Sequence, residues 1–460
     1  MRVTQFFLTA VAVLTLGAGN LSAQNLTPGY DPFQAKQQDT SAGIYDLEHR
    51  LFQLEEEMKK KADKVDTTKA FDVRLNGRVF FEAVSFTNDV VREDETGTAN
   101  RLGAREVHIG IAGSGYRIFE YSVELGYASS APLFRDVVFG IRNVPGLDYV
   151  RIGHFKVETG FGLTASGLNT TGMELPTAST AFSPNRRVGV GQTYYFADER
   201  VRWFNGVFAS QATGPGSKVN TDPQGAIYNS RLTFVPHFAK DGAEYFHIGG
   251  HYMYRENPGT ATVENMNDPF TSPGGGVGIG GFNGGTWWTI TADAKDYHQA
   301  GFEAIWGNGP LAISTELFVG SFGNGRDMYG GYIEARYFLT GDVRAYNKRN
   351  GVPGGVRLKN NFLCVEEFIQ TCHGKAKGFG IQSIGAWEVF TQWSFTDSDR
   401  VARSHENARG GRTIDTVVGL NWYLNPTTRM MFEYVHSVGT PHGGSRDSAD
   451  IFATNLRYNF

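Results

Sequence analysis

No stretch of this chain stays apolar for the ~18 residues that a membrane-crossing helix requires. Cysteine is nearly absent: Cys364 and Cys372 are the two among 460 residues, so at most one internal disulfide is available. Neither charge dominates. Lys and Arg total 43 against 47 Asp and Glu, a formal net charge of -4. That balance excludes a strongly basic nucleic-acid binder and gives no global attraction for anions. Mean hydropathy is -0.31, low enough to pass for a soluble protein. A membrane barrel reads the same way, because its inner face is polar.

The ends of the chain carry the first positive signals. Residues 1–23 read as a secretory signal: Arg2 is the basic region, 6–16 the apolar run, and Leu21-Ser22-Ala23 a small-residue cleavage site before Gln24. No Cys lies near the cut, which argues against a lipid anchor. At the other end, Phe452, Leu456, Tyr458 and Phe460 alternate with Ala453, Asn455, Arg457 and Asn459. Successive strand residues point to opposite sides. In a barrel those sides are lipid and lumen, and a terminal aromatic belongs at the interface.

Between the ends the period changes twice. Residues 24–43 form a polar linker. Over 44–66, Ile44, Leu47, Leu51, Leu54 and Met58 recur at spacings of three and four, flanked by Glu and Lys. This is a short coiled-coil seam; the alternative is a single amphipathic helix. From Phe71 the period is two. Val73, Leu75, Val79, Phe81 and Ala83 share one face; Arg74, Asn76, Arg78, Phe80 and Glu82 share the other. Sixteen such runs are found, from 71–86 to 449–460. The expected fold is therefore an all-β transmembrane barrel of 16 antiparallel strands over 71–460. Tight turns such as Gly113-Ser114-Gly115 and Asn425-Pro426-Thr427 alternate with long segments at 157–187, 255–297 and 343–377. The long ones are expected on the outer side of the membrane.

Cys364 and Cys372 fall in one long loop of an exported chain. A loop-stapling disulfide and a metal site are both open, although His373 is the one further ligand nearby. Enzyme readings fail on geometry. His247 and His251, four apart on a strand, lie ~13 Å from each other. Residues 212–218 lack the Walker spacing. No cofactor is called for.

Several segments resemble the phosphate-selective porin O and P family. They are Leu75-Asn76-Gly77-Arg78-Val79, Val150-Arg151-Ile152-Gly153-His154-Phe155-Lys156, Phe338-Leu339-Thr340-Gly341-Asp342, Gly385-Ala386-Trp387-Glu388, and Gly419 through Pro426. The resemblance covers about 71–460. It implies a trimeric barrel of sixteen strands in the Gram-negative outer membrane, a loop folded into the pore, and lumenal Arg and Lys that conduct anions such as phosphate. A cationic ring lowers the entry cost of anions, and the planar Arg fork bonds two phosphate oxygens at once. On this resemblance Arg105, Lys156, Arg186 and Arg187 are anion-contacting candidates. Glu106 and His108 stand where the family commonly has basic residues, and Val157-Glu158-Thr159 replaces the usual Pro after Lys156. Arg74 and Arg78, on the inward face, join the candidates or else solvate a wall, with Glu82 as an available partner. Arg142 joins them, although an ion pair with Asp136 is its simpler reading. Arg151 and Lys156 have opposite parity, so both face the lumen only if the strand bulges between them; Lys156 is the one expected inward. Loop 157–187 is expected to tuck into the pore, its hydroxyls contacting solute; the alternative is an exposed outer loop. The expected partners are outer-membrane lipid, small hydrophilic solutes and two further copies of the chain. The functional alternative is a non-conducting structural or adhesive barrel tethered by its N-terminal coil.

Overall fold

A computed structural model describes residues 71–86, 101–116, 118–127, 133–210, 225–256, 264–265, 291–292, 296–322, 326–362, 384–402 and 410–460. The signal, linker and coiled-coil assignments lie outside these residues, as do Cys364 and Cys372.

Sixteen antiparallel strands close into one barrel, each hydrogen-bonded to the next in the chain. They are β1 (Phe71–Phe86), β2 (Arg101–Gly115), β3 (Phe119–Gly126), β4 (Leu133–Val144), β5 (Asp148–Lys156), β6 (Arg186–Phe196), β7 (Val201–Ala209), β8 (Ala226–Ala239) and β9 (Glu244–Glu256). After a short pair in the next long loop, β10 (Glu264–Asn265) with β11 (Thr291–Ala292), follow β12 (Asp296–Asn308), β13 (Leu311–Phe322) and β14 (Arg326–Phe338). A separate hairpin, β15 (Val343–Asn347) with β16 (Val352–Arg357), precedes β17 (Ala386–Asp397), β18 (Gly411–Asn425), β19 (Thr428–Pro441) and β20 (Asp447–Asn459). The expected strand count holds, and β20 pairs with β1 to close the sheet. Phe460 exchanges two backbone hydrogen bonds of 3.0 Å with Gly77, so the terminal aromatic pins the seam.

The alternation does what the lipid–lumen contrast demands. On β20, Phe452, Leu456 and Tyr458 are exposed outward, whereas Ala453, Asn455 and Arg457 are buried within. Aromatics gather at one rim, where Trp387 and Trp422 stack 5.0 Å apart and Tyr458 lies 6.0 Å from Phe460. Interfacial aromatics mark the membrane boundary of such barrels.

One expectation is overturned. Strand parity puts 157–185 and 257–295 at the end with the long loops, as anticipated, but 339–385 at the end with the tight turns. That end is periplasmic in barrels of this kind. Its other connections are brief: 116–118, 145–147, 197–200, 240–243, 309–310 and 426–427. The long insertion there carries the β15–β16 hairpin. Loop length alone did not reveal the side; counting strands does.

Candidate functional site

The lumen is filled from both ends. Loop 157–185 enters from the long-loop end. It leaves β5 through Gly160, whose φ is 115° and whose added Cβ would sit 2.0 Å from Glu316 Oε1, so only glycine permits that approach. The far wall then clasps the loop. Glu316 accepts from Ser179 Oγ at 3.1 Å and Tyr332 Oη at 2.9 Å. Glu334 accepts from Thr171 Oγ1 at 2.7 Å, and Glu433 from the Met173 amide at 2.5 Å. Asp415 accepts from Thr177 and Ser437. Arg429 donates to Thr170 O at 2.8 Å, and Arg457 to Gly167 O and Met173 O at 3.0 and 2.6 Å. The loop is thus inserted, but Thr171, Thr177 and Ser179 are spent on wall carboxylates. They do not face solute as expected.

The β15–β16 hairpin enters from the turn end and meets that loop. Arg344 donates to Glu388 Oε2 at 3.2 Å, to Tyr423 Oη at 2.7 Å and to the Asn169 carbonyl of the loop. Tyr346 Oη and His247 Nδ1 share a 2.6 Å hydrogen bond. Arg202 and Arg231 donate to the carbonyls of Arg349 and Gly351 at 3.1 and 2.9 Å. Tyr346 and Val352 pack into one apolar cluster with Phe161 and Ala165. A cavity of about 50 Å³ remains between them, lined in part by Glu174, Glu334, Arg336 and Pro353, with room for little more than a water or two.

Glu158 ties the two insertions to the barrel. Its carboxylate accepts from Arg202 at 2.7 and 2.8 Å, from Arg231 at 3.4 Å and from Arg151 at 2.5 Å. Burial alone would raise this carboxyl; Arg202 and then Arg151 overcome it and hold the pKa at about 2. Arg231 also pairs with Glu303 at 2.9 Å. In this sector, over β7 to β19, charged groups packed within the lumen are sealed from water: Arg231 and Glu388 are 0% exposed.

The wall of β1 to β6 differs. It keeps partial water access beside loop residues 166–170, which are themselves half-buried or exposed. Side-chain exposure is 24% for Glu106, 20% for Glu124 and 31% for Asp136. Several of the predicted basic residues lie on this wetter wall. Arg78 pairs with Glu106 at 3.0 Å and Glu124 at 3.7 Å, rather than with Glu82. Arg105 takes Glu82 at 3.4 Å and also Glu174 of the loop. Arg186 forks onto Asp136 at 3.0 and 3.2 Å. Arg142, expected on Asp136, pairs with Glu120 near the turn end; the loop root delivers Arg186 to Asp136 first. Arg187 is buried and donates to Ser210 O at 3.3 Å and Arg186 O at 2.8 Å. Arg74 lies exposed at the turn end of β1, below the first residue paired to β20.

Arg151 and Lys156 both reach interior partners. Between them Gly153 has φ 138°, and an added Cβ would lie 2.0 Å from Val137 O. The pairing of β5 with both neighbours runs through Gly153 without a shift, so Arg151 keeps its inward parity and Lys156 reaches the interior as the last residue of the strand. Arg151 turns to Glu158, and Lys156 Nζ donates to Leu163 O and Ala165 O, both at 2.7 Å.

Sequence reasoning missed Arg135. Alternation groups it with the outward Val137 and Phe139. A register shift between Val123 and Leu125, opposite β4, turns it inward. A Cβ on Gly126 would lie 3.0 Å from both Arg135 Nε and His108 Nε2, so bare backbone lets the two side chains converge. The Arg135 guanidinium faces Glu106, Arg186, Arg78 and Glu124, and Nε has no hydrogen-bond partner among the described residues. A bulge leaves no mark in polarity, and the nearest signal was the pair of departures, Glu106 and His108, which do line this wall.

The barrel is shared with solved structures of low identity. The outer membrane channel DcaP of Acinetobacter baumannii superposes with a TM-score of 0.51 at 10% identity, covering 85% of this chain and 98% of that one. Pseudomonas putida OprB gives 0.50 at 9% identity, covering 86% and 95%. At such identity the likeness speaks for fold alone. No curated protein matches the sequence. The profile of one family spans residues 71–460, the whole barrel, and on that match the chain belongs to the phosphate-selective porin O and P family of outer-membrane porins.

Proposed function

We propose that this porin passes small hydrophilic anions, phosphate among them, by passive diffusion along the β1–β6 wall. The observation that supports an anion preference is Arg135. Arg78, Arg105, Arg142 and Arg186 are each matched by a carboxylate, whereas the Arg135 Nε–H has no hydrogen-bond partner among the described residues. An arginine with donors to spare in a narrow polar passage lowers the cost of a passing anion. The paired bases contribute little net charge, so the preference is a modest one. Diffusion down a gradient needs no cofactor.

The working unit in this proposal is a homotrimer, exported by its signal peptide. Strands β3, β5 and β7 have 8, 9 and 9 residues. Nine residues tilted ~40° rise roughly 23 Å, slightly short of the ~25 Å apolar band of such barrels. Contact with neighbouring copies would relieve that mismatch, and stacked Phe119 with Phe139 and Tyr194 with Trp203 furnish its surface.

The test is electrical. Purified protein in planar bilayers should conduct, and its reversal potential in a salt gradient should show anion preference. Arg135→Gln should abolish that preference, while Arg187→Gln, buried on backbone carbonyls, should leave it unchanged. A preference untouched by Arg135→Gln removes this assignment. A silent barrel would favour the structural or adhesive reading instead.

A further inference from the structure

Loop 157–185 contains two carboxylates, Glu158 and Glu174, and no base. Glu158 is sealed among arginines. Glu174 is the loop charge with water access, at 20% side-chain exposure, and it contacts Arg105 across the passage. We infer that Glu174, acting beside Arg105, sets the strength of the pore's anion preference: ionised, it adds a negative charge to the wall, and neutralised, it leaves the wall one unit more positive.

The surroundings of Glu174 are mixed. Arg105 and Glu106 face it from β2, Glu82 from β1 and Arg457 from β20. Glu433 of β19 holds the adjacent Met173 amide, and Glu334 with Arg336 of β14 share its small cavity. Glu82 is already engaged by Arg105 and by Asn455 at 3.1 Å. When Glu174 is neutral, Arg105 therefore still holds Glu82 but loses a carboxylate partner. The other contacts between this loop and the passage wall are carbonyls on Lys156 and the sealed Glu158 with Arg151; they do not follow the charge of Glu174. Burial, opposed by Arg105 and reinforced by Glu82, lifts the Glu174 carboxyl to about 8. The sign follows directly. Below that pH the group is neutral and anions are favoured; as pH rises through it, the carboxylate forms and the preference falls.

The inference rests on the conducting reading, and one experiment separates the two. Reversal potentials in a KCl gradient at pH 6.5 and 9.5 are compared for the natural protein, Glu174→Gln and Glu174→Asp. A unit charge ~6 Å from an ion in a watery pore changes relative permeability by roughly threefold or more. The natural protein should show that rise in the anion-to-cation ratio at the lower pH. Glu174→Gln should hold the higher ratio at both values, and Glu174→Asp should keep a step. His108, His154 and Lys156 are common to all three proteins, so whatever they contribute cancels in the comparison. Conduction without a step, or a full step in Glu174→Gln, overturns the inference and leaves the porin reading standing. Absence of conduction overturns both. Should Glu174→Gln fail to assemble, a flat profile in the natural protein still overturns it.

Discussion

Two sectors of one barrel carry similar side chains in opposite states. Along β7 to β19, Arg202, Arg231, Glu303, Arg344 and Glu388 sit in a lumen packed shut by a loop from one end and a hairpin from the other. Along β1 to β6, Arg78, Glu106, Glu124, Asp136 and Arg186 pair just as closely but keep contact with water. The pairs are chemically alike; their solvation differs. In the dry sector an ion pair fastens an insertion. In the wet sector it stays open to water. The composition of a barrel's inner face therefore does not measure the width of its pore.

The sharpest way to break this contrast is to remove one carboxylate from each sector. Glu158→Ala leaves Arg202 and Arg231 buried without their shared partner, and stranding a buried charge costs about 3–5 kcal/mol. The expected result is a large fall in the temperature at which unboiled protein loses its folded gel mobility, with higher and noisier single-channel current as the insertions loosen. Unchanged stability would show that these arginines are satisfied without Glu158, and the dry sector would lose its keystone.

A smaller effect is expected from the loop clasp. Asp415→Ala deprives Thr177 and Ser437 of their acceptor, at about 1–3 kcal/mol for the buried hydroxyls left unpaired. Conductance noise should rise, while ion preference should not move, because Asp415 lies away from the passage. A changed reversal potential would mean that the clasp and the passage are not separate devices.

The two sectors were unequally legible in the sequence. Strand existence and facing were plain from Phe71 to Phe460, because lipid and lumen demand opposite chemistry at every second residue. The wet wall was partly legible: Arg78, Arg105, Arg142, Lys156 and Arg186 were named as inward candidates by parity or by family likeness. Their partners were not. Arg142 and Asp136 lie six residues apart on one strand, yet each pairs with another strand, since shear rather than sequence spacing decides which side chains meet. Arg135 was hidden by a bulge. The dry sector was least legible of all. Nothing in Arg344, Tyr346 or Gly351 marks a turn-end hairpin as an interior element; its polar residues read equally well as a solvated loop until Arg231, His247 and Glu388 are seen around it.

The mildest test lies on the wet side. Glu106 pairs with Arg78 at 3.0 Å and stands 3.5 Å from His108 Nε2, a network as dense as that of Glu158 with Arg202. Replacing it with Gln keeps the volume and removes the charge. If solvation is what separates the sectors, water reaches the stranded Arg78 and the loss of stability stays within about 1 kcal/mol. The charge removed is negative and borders the passage, so anion preference should rise even as the fold holds. A thermal shift as large as that of Glu158→Ala would mean that this wall is as dry as the other, and the passage would have to be sought elsewhere in the lumen.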